Sequence, residues 1–268
     1  MKKKWNVYLT VGLILTGLMV FAALLGTFWT PYVPTAMKYG RFQAPSLAHL
    51  FGTDNFGRDI FSRVLKGTGT TLGIALSTVS IGALAGTLVG AITGYYGGWL
   101  DEALMRLNDA ITAFPSFLLA LLIVSLVGPG KKYSVVLALG LVFIPSFARI
   151  MRTEFRSLRG RNFVTGARLM GASNGRILWV HLLPNTLRAL LPAFTIGFNN
   201  AVLAEASLSF LGIGVTPPDA SLGYMLAEAQ SMLAVGPWYA LCTGLTIVLL
   251  VFGVGLLGEG LQDHAGDS

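Results

Sequence analysis

Long stretches without a charged side chain dominate the sequence, and their spacing predicts membrane-spanning helices. The apolar core of a bilayer is about 30 Å thick, and a helix needs roughly 20 apolar residues to cross it. Six intervals come close to or exceed this length: 7–29, 67–100, 110–130, 133–148, 187–204 and 238–257, of which only 187–204 contains a charged residue, Arg188. The pattern therefore predicts an all-α, polytopic membrane protein with six transmembrane helices.

Composition points the same way. Hydrophobic residues make up 54% of the 268 residues and charged residues only 12%, whereas a soluble domain carries about 25% charge. This composition argues against a water-soluble enzyme. The single cysteine, Cys242, excludes an intramolecular disulfide and a cysteine-cluster metal site. His49, His181 and His264 are far apart without metal-ligand spacing, so we expect surface histidines and no metal site.

The charge is concentrated in one segment. Between Arg149 and Arg188 the chain has eight arginines and one acid, so this stretch carries the whole net charge of +7. A basic protein can bind nucleic acid, but the position of this segment between two predicted spans argues against that function. With the amino terminus inside, inner segments hold 12 of the lysines and arginines and outer segments hold seven. The positive-inside rule then predicts that both termini are cytoplasmic.

The amino terminus, Lys2-Lys3-Lys4 followed by an apolar run, is similar to a signal peptide. Its apolar part is longer than the usual 7–15 residues, and five more predicted spans follow it. We therefore expect a signal anchor that is retained.

Glycines recur every four residues in the second predicted span, and residues at this spacing share one face of a helix. They are Gly82, Gly86, Gly90, Gly94 and Gly98. In lipid, small residues allow close backbone approach between helices. The spacing predicts a helix packed tightly against a partner, either in this chain or in another subunit. The alternative is a set of glycines that lipid simply tolerates.

Two acids interrupt the outer ends of the last two spans. Glu205 lies in an apolar run, and an ionisable residue at membrane depth is by default a pathway or pairing residue. The alternative is that Glu205 contacts lipid headgroups. We expect Glu228 at the membrane interface.

The basic segment 149–188 also contains small residues: Gly166, Ala167, Gly171, Ala172 and Ser173. Small side chains allow a short helix to enter a partner's groove closely, while flanking arginines hold it at the membrane surface. We predict that this helical segment ends at Leu183-Pro184. The alternative is that the arginines only serve the positive-inside rule.

Enzyme signatures are absent. The run GVGLLG at 253–258 matches a dinucleotide-binding pattern, but it lies in a predicted span with no strand before it. We therefore assign it to helix packing. No phosphate-binding loop is visible, so we expect no nucleotide site in this chain.

The segment 165–173, TGARLMGAS, followed by Leu183-Pro184, resembles the cytoplasmic EAA loop of ABC importer permeases. Thr165 stands where the family has a glutamate. The run FGTDNFGRDIFSR at 51–63 is similar to the GTDxxGRDxxSR motif of the dipeptide, oligopeptide and nickel permeases. SLSFLGIG at 207–214 and LGEGLQD at 257–263 resemble further segments of that subfamily, in its second or C-type subunit.

This resemblance implies the architecture of a type I ABC importer permease in a prokaryotic inner membrane. It implies four kinds of partner: a homologous permease, two ABC ATPases, an extracytoplasmic substrate-binding protein and membrane lipid. ATP and magnesium would be bound by the ATPases, and no cofactor by this chain. The implied coupling residues are Thr165, Gly166, Ala167, Arg168, Gly171, Ala172, Ser173, Leu183 and Pro184.

On this basis we divide the chain into an amino-terminal span with its outer loop, 1–66, a permease domain, 67–264, and a short tail, 265–268. The expected function is uptake of di- or oligopeptides, with nickel or a metal chelate as the alternative substrate. A passive channel subunit and an integral-membrane enzyme are competing classes. The loop shaped for an ATPase argues against the first, and the missing catalytic clusters argue against the second.

Overall fold

The computed structural model describes residues 7–266 of the chain, so Lys2-Lys3-Lys4 and the last two residues of the predicted tail lie outside it. Its helices are α1 (Val7–Phe28), α2 (Ile60–Tyr96), α3 (Gly98–Thr112), α4 (Ser116–Val127), α5 (Lys132–Leu158), α6 (Asn162–Leu169), α7 (Asn174–Arg176), α8 (Leu183–Phe210), α9 (Leu222–Gln230) and α10 (Pro237–Gly266). A π-helical turn, Ile177–Leu182, joins α7 to α8.

Within the described residues, five helical segments are long and apolar enough to cross a membrane. The count becomes six if α3 and α4, which meet at an angle of 86°, form one bent span. The prediction of an unbroken third span at 110–130 was wrong, because α4 has only 12 residues. The break falls at Phe114-Pro115, since the residue before a proline is disfavoured in helical conformation.

Two helices extend into charged sequence. α2 begins before Arg63 and Lys66, because the Asp59 carboxylate accepts a hydrogen bond from the Ser62 amide and caps the helix. The boundary between residues 66 and 67 therefore falls inside a continuous helix. α5 continues past Arg149 to Leu158, so the first ten residues of the segment 149–188 are helix rather than loop.

The glycine face of α2 packs directly on α5. A Cβ atom at Gly86 would lie 2.5 Å from Phe147 Cβ, and one at Gly90 would lie 2.6 Å from the Ala148 carbonyl oxygen. Gly82 and Gly94 meet α5 at similar distances. The partner is thus in this chain. Gly98 does not share the contact, because α2 ends at Tyr96 and Gly98 has a positive φ of 64° with open space around it.

Pro184 does not end the helix that precedes it, which corrects the prediction. The helical path runs from Asn174 to Phe210 without a break. A proline ring would clash with the carbonyl four residues earlier in a regular α-helix. The wider π-helical turn directly before Leu183 accompanies this proline, and π-helical turns are frequent at functional sites.

Candidate functional site

The segment between α5 and α8 forms a compact structure at one end of the bundle. Val164 and Ala167 of α6 are buried. They join a hydrophobic cluster with residues of α2, α5 and the π-helical turn, among them Tyr95 and Phe155. Burial of two positions three residues apart fixes one face of α6 and leaves the opposite face outward.

Gly171 ends α6 in a conformation that favours glycine. Its φ is +84°, and a Cβ atom there would meet nothing within 4 Å. The Gly171 amide donates to the Arg168 carbonyl, and the Ala172 amide donates to the Ala167 carbonyl, both at 3.0 Å. This pair of bonds is a Schellman motif, which uses a left-handed residue to satisfy the last carbonyls of a helix.

Polar contacts join this segment to the end of α2. The Tyr95 hydroxyl donates to Asn174 Oδ1 at 2.7 Å, and Arg168 Nη2 donates to the Tyr95 hydroxyl at 3.3 Å. Arg159 donates to the carbonyl oxygens of Gly94 and Tyr95. A cation at the carboxyl end of a helix is electrostatically favourable. A force on α6 or α7 would therefore reach α2 directly.

The outward face of α6 is apolar at its tip. Leu169 and Met170 are 84% and 85% exposed. Thr165, Arg168, Gly171 and Ser173 are also exposed, while Gly166 and Ala172 are partly buried. Two exposed apolar side chains next to arginines are complementary to an apolar groove that is bordered by acidic residues on another protein. Since Thr165 faces solvent, a glutamate in its place would also have been available to such a partner.

Glu205 lies inside the subunit. It is fully buried, and its carboxylate accepts hydrogen bonds from Thr71 Oγ1 at 2.8 Å and Ser209 Oγ at 2.7 Å. Ser209 Oγ in turn accepts from the Val215 amide. A carboxylate enclosed by its own subunit cannot contact lipid headgroups, so that alternative was wrong. A role of Glu205 in the pathway stays a prediction.

At the opposite end of the bundle, the motif of residues 51–63 forms a buried ion-pair cluster. Asp54 Oδ2 accepts from Arg58 Nε and from Arg63 Nη1, both at 2.6 Å. Arg58 and Arg63 also donate to the two oxygens of Glu228 at 2.9 and 2.7 Å. Tyr239 donates to Glu228 and accepts from Arg63. The cluster joins the segment 29–59, α2, α9 and α10.

Glu228 is therefore an ion-pair residue at one end of the bundle, and its expected position at the membrane interface stays a prediction. Burial by itself would raise its pKa, but the neighbouring Arg63 and Arg58 outweigh burial and hold the pKa below the usual carboxylate value. The carboxylate stays charged at neutral pH. Arg58 and Arg63 are only 7% and 4% exposed, so these charges depend on one another.

Replacing Arg63 with methionine should destabilise the folded protein by about 3–5 kcal/mol, because removal of one partner leaves buried charges uncompensated. Thermal unfolding of the detergent-solubilised protein measures the effect. Lys66→Met is the matched control: Lys66 lies one turn later on α2 and forms no ion pair with the residues that the structure describes. Equal losses in both variants would contradict the role of the cluster.

His49 was expected at the surface, but it is buried. Its Nδ1 lies 2.8 Å from Asp59 Oδ1, and its ring packs against both Tyr32 and Tyr39. His181 is partly buried, and the side chain of His264 lies outside the described residues. The contact holds the segment 29–59 against the carboxylate that caps α2.

Sequence reasoning missed the ion-pair cluster that Glu228 completes. Asp54, Arg58 and Arg63 follow one another at intervals of four and five residues, and an acid followed by two arginines at this spacing was a signal for ion pairing. Nothing in the sequence marked Glu228, more than 160 residues away, as their partner.

Comparison with known proteins places the geometry in a family. The family described as "Binding-protein-dependent transport system inner membrane component" matches residues 86–265. The dipeptide transport system permease protein of Alkalihalophilus pseudofirmus is 38% identical, over 97% of this chain and 86% of the relative. The glutathione transport system permease protein of Pectobacterium atrosepticum is 38% identical, over 93% of this chain and 85% of the relative.

A putative peptide transport system permease protein of Brucella suis is 43% identical, over 94% of this chain and 85% of the relative. Among solved structures, a chain of the inward-facing methionine ABC transporter MetNI superposes with a TM-score of 0.61 at 19% identity. The match covers 75% of this chain and 95% of that chain. At this identity the likeness establishes the fold alone, which is that of a type I importer permease.

Proposed function

We propose that this chain, which belongs to the family of binding-protein-dependent transport system inner membrane components, carries di- and oligopeptides through the bacterial inner membrane together with a second permease. The chain is a multi-pass permease subunit of an ABC importer and has the role of a transport component, with ATP hydrolysis assigned to other subunits of such systems.

The peptide substrate rests on one observation. The relatives that match over more than nine-tenths of this chain are named for dipeptide, peptide and glutathione transport. All three names describe short peptides or a peptide-like molecule. This agreement favours peptide uptake over the nickel alternative that the subfamily motif left open.

Coupling to ATP hydrolysis would pass through α6. We propose that Leu169 and Met170 enter an apolar groove of a cytoplasmic ATPase, with the exposed arginines of 149–188 around them. Two ATPases, a homologous permease and an extracytoplasmic binding protein complete the proposed assembly. ATP binding could favour one conformation only through contacts that differ between states, and α6 offers such a contact.

The proposed orientation follows from this docking. If α6 meets a cytoplasmic ATPase, the end of the bundle that carries α6 and the arginine-rich segment faces the cytoplasm. The loop 29–59 and the ion-pair cluster then face outward, where a binding protein can reach them. Both termini would be cytoplasmic, in agreement with the positive-inside rule.

The substrate is tested by uptake into cells that lack this chain. We expect accumulation of a labelled dipeptide to fall to background and to return when the gene is restored, while nickel accumulation stays unchanged. In membrane vesicles that contain the partner subunits, dipeptide uptake should require both this chain and ATP. Loss of nickel uptake with normal dipeptide uptake would overturn the proposed substrate.

A further inference from the structure

One face of α8 forms a groove that follows the helix through most of its length. Ala193, Ile196 and Asn200 line a cavity of about 130 Å³, and Leu203, Ser207 and Phe210 line a second cavity of about 590 Å³. Successive positions in this series are three or four residues apart, so all six lie on the same side of the helix. Eighteen residues of helix span about 25 Å, which is close to the thickness of the bilayer core.

Different helices form the two parts of the groove wall. Phe143, Ser146 and Ile150 of α5 border the first cavity. Phe117 at the start of α4 and Ile247 of α10 border the second cavity. The groove is thus largely apolar, as binding cavities usually are, and contains few polar groups.

Asn200 is the exceptional polar residue of this face. Its side chain is exposed, ten residues before the end of α8, and forms no hydrogen bond with the described part of the chain. Ser146, on the wall opposite, is also exposed, and its hydroxyl likewise has no partner among residues 7–263. The neighbouring hydroxyls differ, because Ser207 donates to the Leu203 carbonyl and Thr195 to the Pro192 carbonyl.

A carboxamide without partners is costly against lipid tails. A side chain of this type at membrane depth therefore belongs against another polar surface or against water. Asparagine offers two N–H donors and one carbonyl acceptor, the same groups that a peptide bond offers in complementary form. An amide contact does not depend on the peptide's side chains.

We propose that the α8 groove is this subunit's wall of the substrate pathway, and that Asn200 hydrogen-bonds the backbone amides of the passing peptide. The identity of the ligand rests on the proposed peptide uptake. The accessibility of the groove to water is independent of that proposal. Ser146 supplies a second polar contact on the opposite wall.

Cysteine labelling tests the groove, and the chain suits it because Cys242 is its single cysteine. In a Cys242→Ser background within the full transporter, Asn200→Cys should react with a charged, water-soluble methanethiosulfonate reagent. Leu18→Cys is the control, since Leu18 is exposed near the middle of α1 and lines neither cavity. We expect Asn200→Cys to be modified at least about tenfold faster than Leu18→Cys. Dipeptide-loaded binding protein and ATP should slow the modification of Asn200→Cys.

Equal, slow labelling at both positions would overturn the pathway assignment and indicate that lipid or a partner helix covers the groove. Ser146→Cys repeats the test if Asn200→Cys fails to reach the membrane. Dipeptide uptake by the Cys242→Ser background is measured first, so that failure of the proposed substrate is seen separately from failure of the groove.

The chemistry is tested by a matched pair of substitutions. Asn200→Leu should lower dipeptide uptake about three- to tenfold, the effect of one lost hydrogen bond, while Asn200→Gln should keep most of it. Equal uptake by the two variants would refute the amide contact even if the labelling result holds.

Discussion

Replacing Gly171 with arginine is expected to abolish coupled ATP hydrolysis and transport while the protein still inserts into the membrane. Gly171 has a φ of +84°, which an L side chain rarely adopts. Arginine there strains the Schellman motif and places a long cation beside the exposed tip of α6. The site is open in this subunit, since a Cβ atom there meets nothing within 4 Å. The obstruction arises only when a partner docks.

The measurement is ATPase activity of the purified transporter with and without loaded binding protein, together with the amount of complex in the membrane. Gly160→Arg is the matched control, because it adds the same side chain in the same segment, with open space and no positive φ. Normal stimulation in Gly171→Arg would contradict the coupling role of α6. Equal loss in both variants would point to added charge in the segment as the cause.

Replacing Gly90 with leucine is expected to prevent stable folding of the subunit. A Cβ atom at Gly90 would lie 2.6 Å from the Ala148 carbonyl oxygen and 2.7 Å from the Arg152 amide nitrogen. These are backbone atoms, so a rotamer change cannot relieve the overlap and α5 must move away. Overpacking in a core costs about 1–3 kcal/mol, and backbone displacement along two long helices places this variant at or above the upper end.

Folded yield in detergent and the thermal unfolding midpoint are the readouts. Gly73→Leu adds the same volume to the same helix at a position with nothing within 4 Å, and it should remain close to wild type. A stable Gly90→Leu protein would show that α2 and α5 can separate at little cost. Instability of both variants would trace the effect to leucine on α2 in general.

The helical fold could be predicted because it follows from local signals. Apolar length predicts spans, and the four-residue glycine spacing identifies the face of α2 that lies against α5. The bend at Pro115 was visible as a residue type, but a proline near a span end is compatible with either a kink or a break. The extension of α5 to Leu158 was missed because the charge of its arginines was taken to indicate a loop. Arginine has good helix propensity, so the same residues are also compatible with a helix.

The site was less accessible to sequence reasoning because its contacts are distant in sequence. Asp101 accepts two hydrogen bonds from Arg152, 51 residues later, and Glu228 pairs with Arg63 from 165 residues away. Sequence patterns mark charged residues but do not tell which oppositely charged residue each will meet. Asn200 is a similar case, since its environment depends on which face of α8 the other helices leave open.

The close packing of α2 on α5 has a mechanical consequence. The two helices have no room to slide past each other where they meet at Gly82, Gly86, Gly90 and Gly94. We therefore expect α2 and α5 to move together as one rigid unit. With 37 residues, α2 is about 55 Å long. A tilt of about 10° imposed at the Tyr95 end would displace the Ile60 end, where the ion-pair cluster sits, by about 10 Å. A small rotation of α2 near α6 would therefore be accompanied by a large displacement at the opposite end of the subunit.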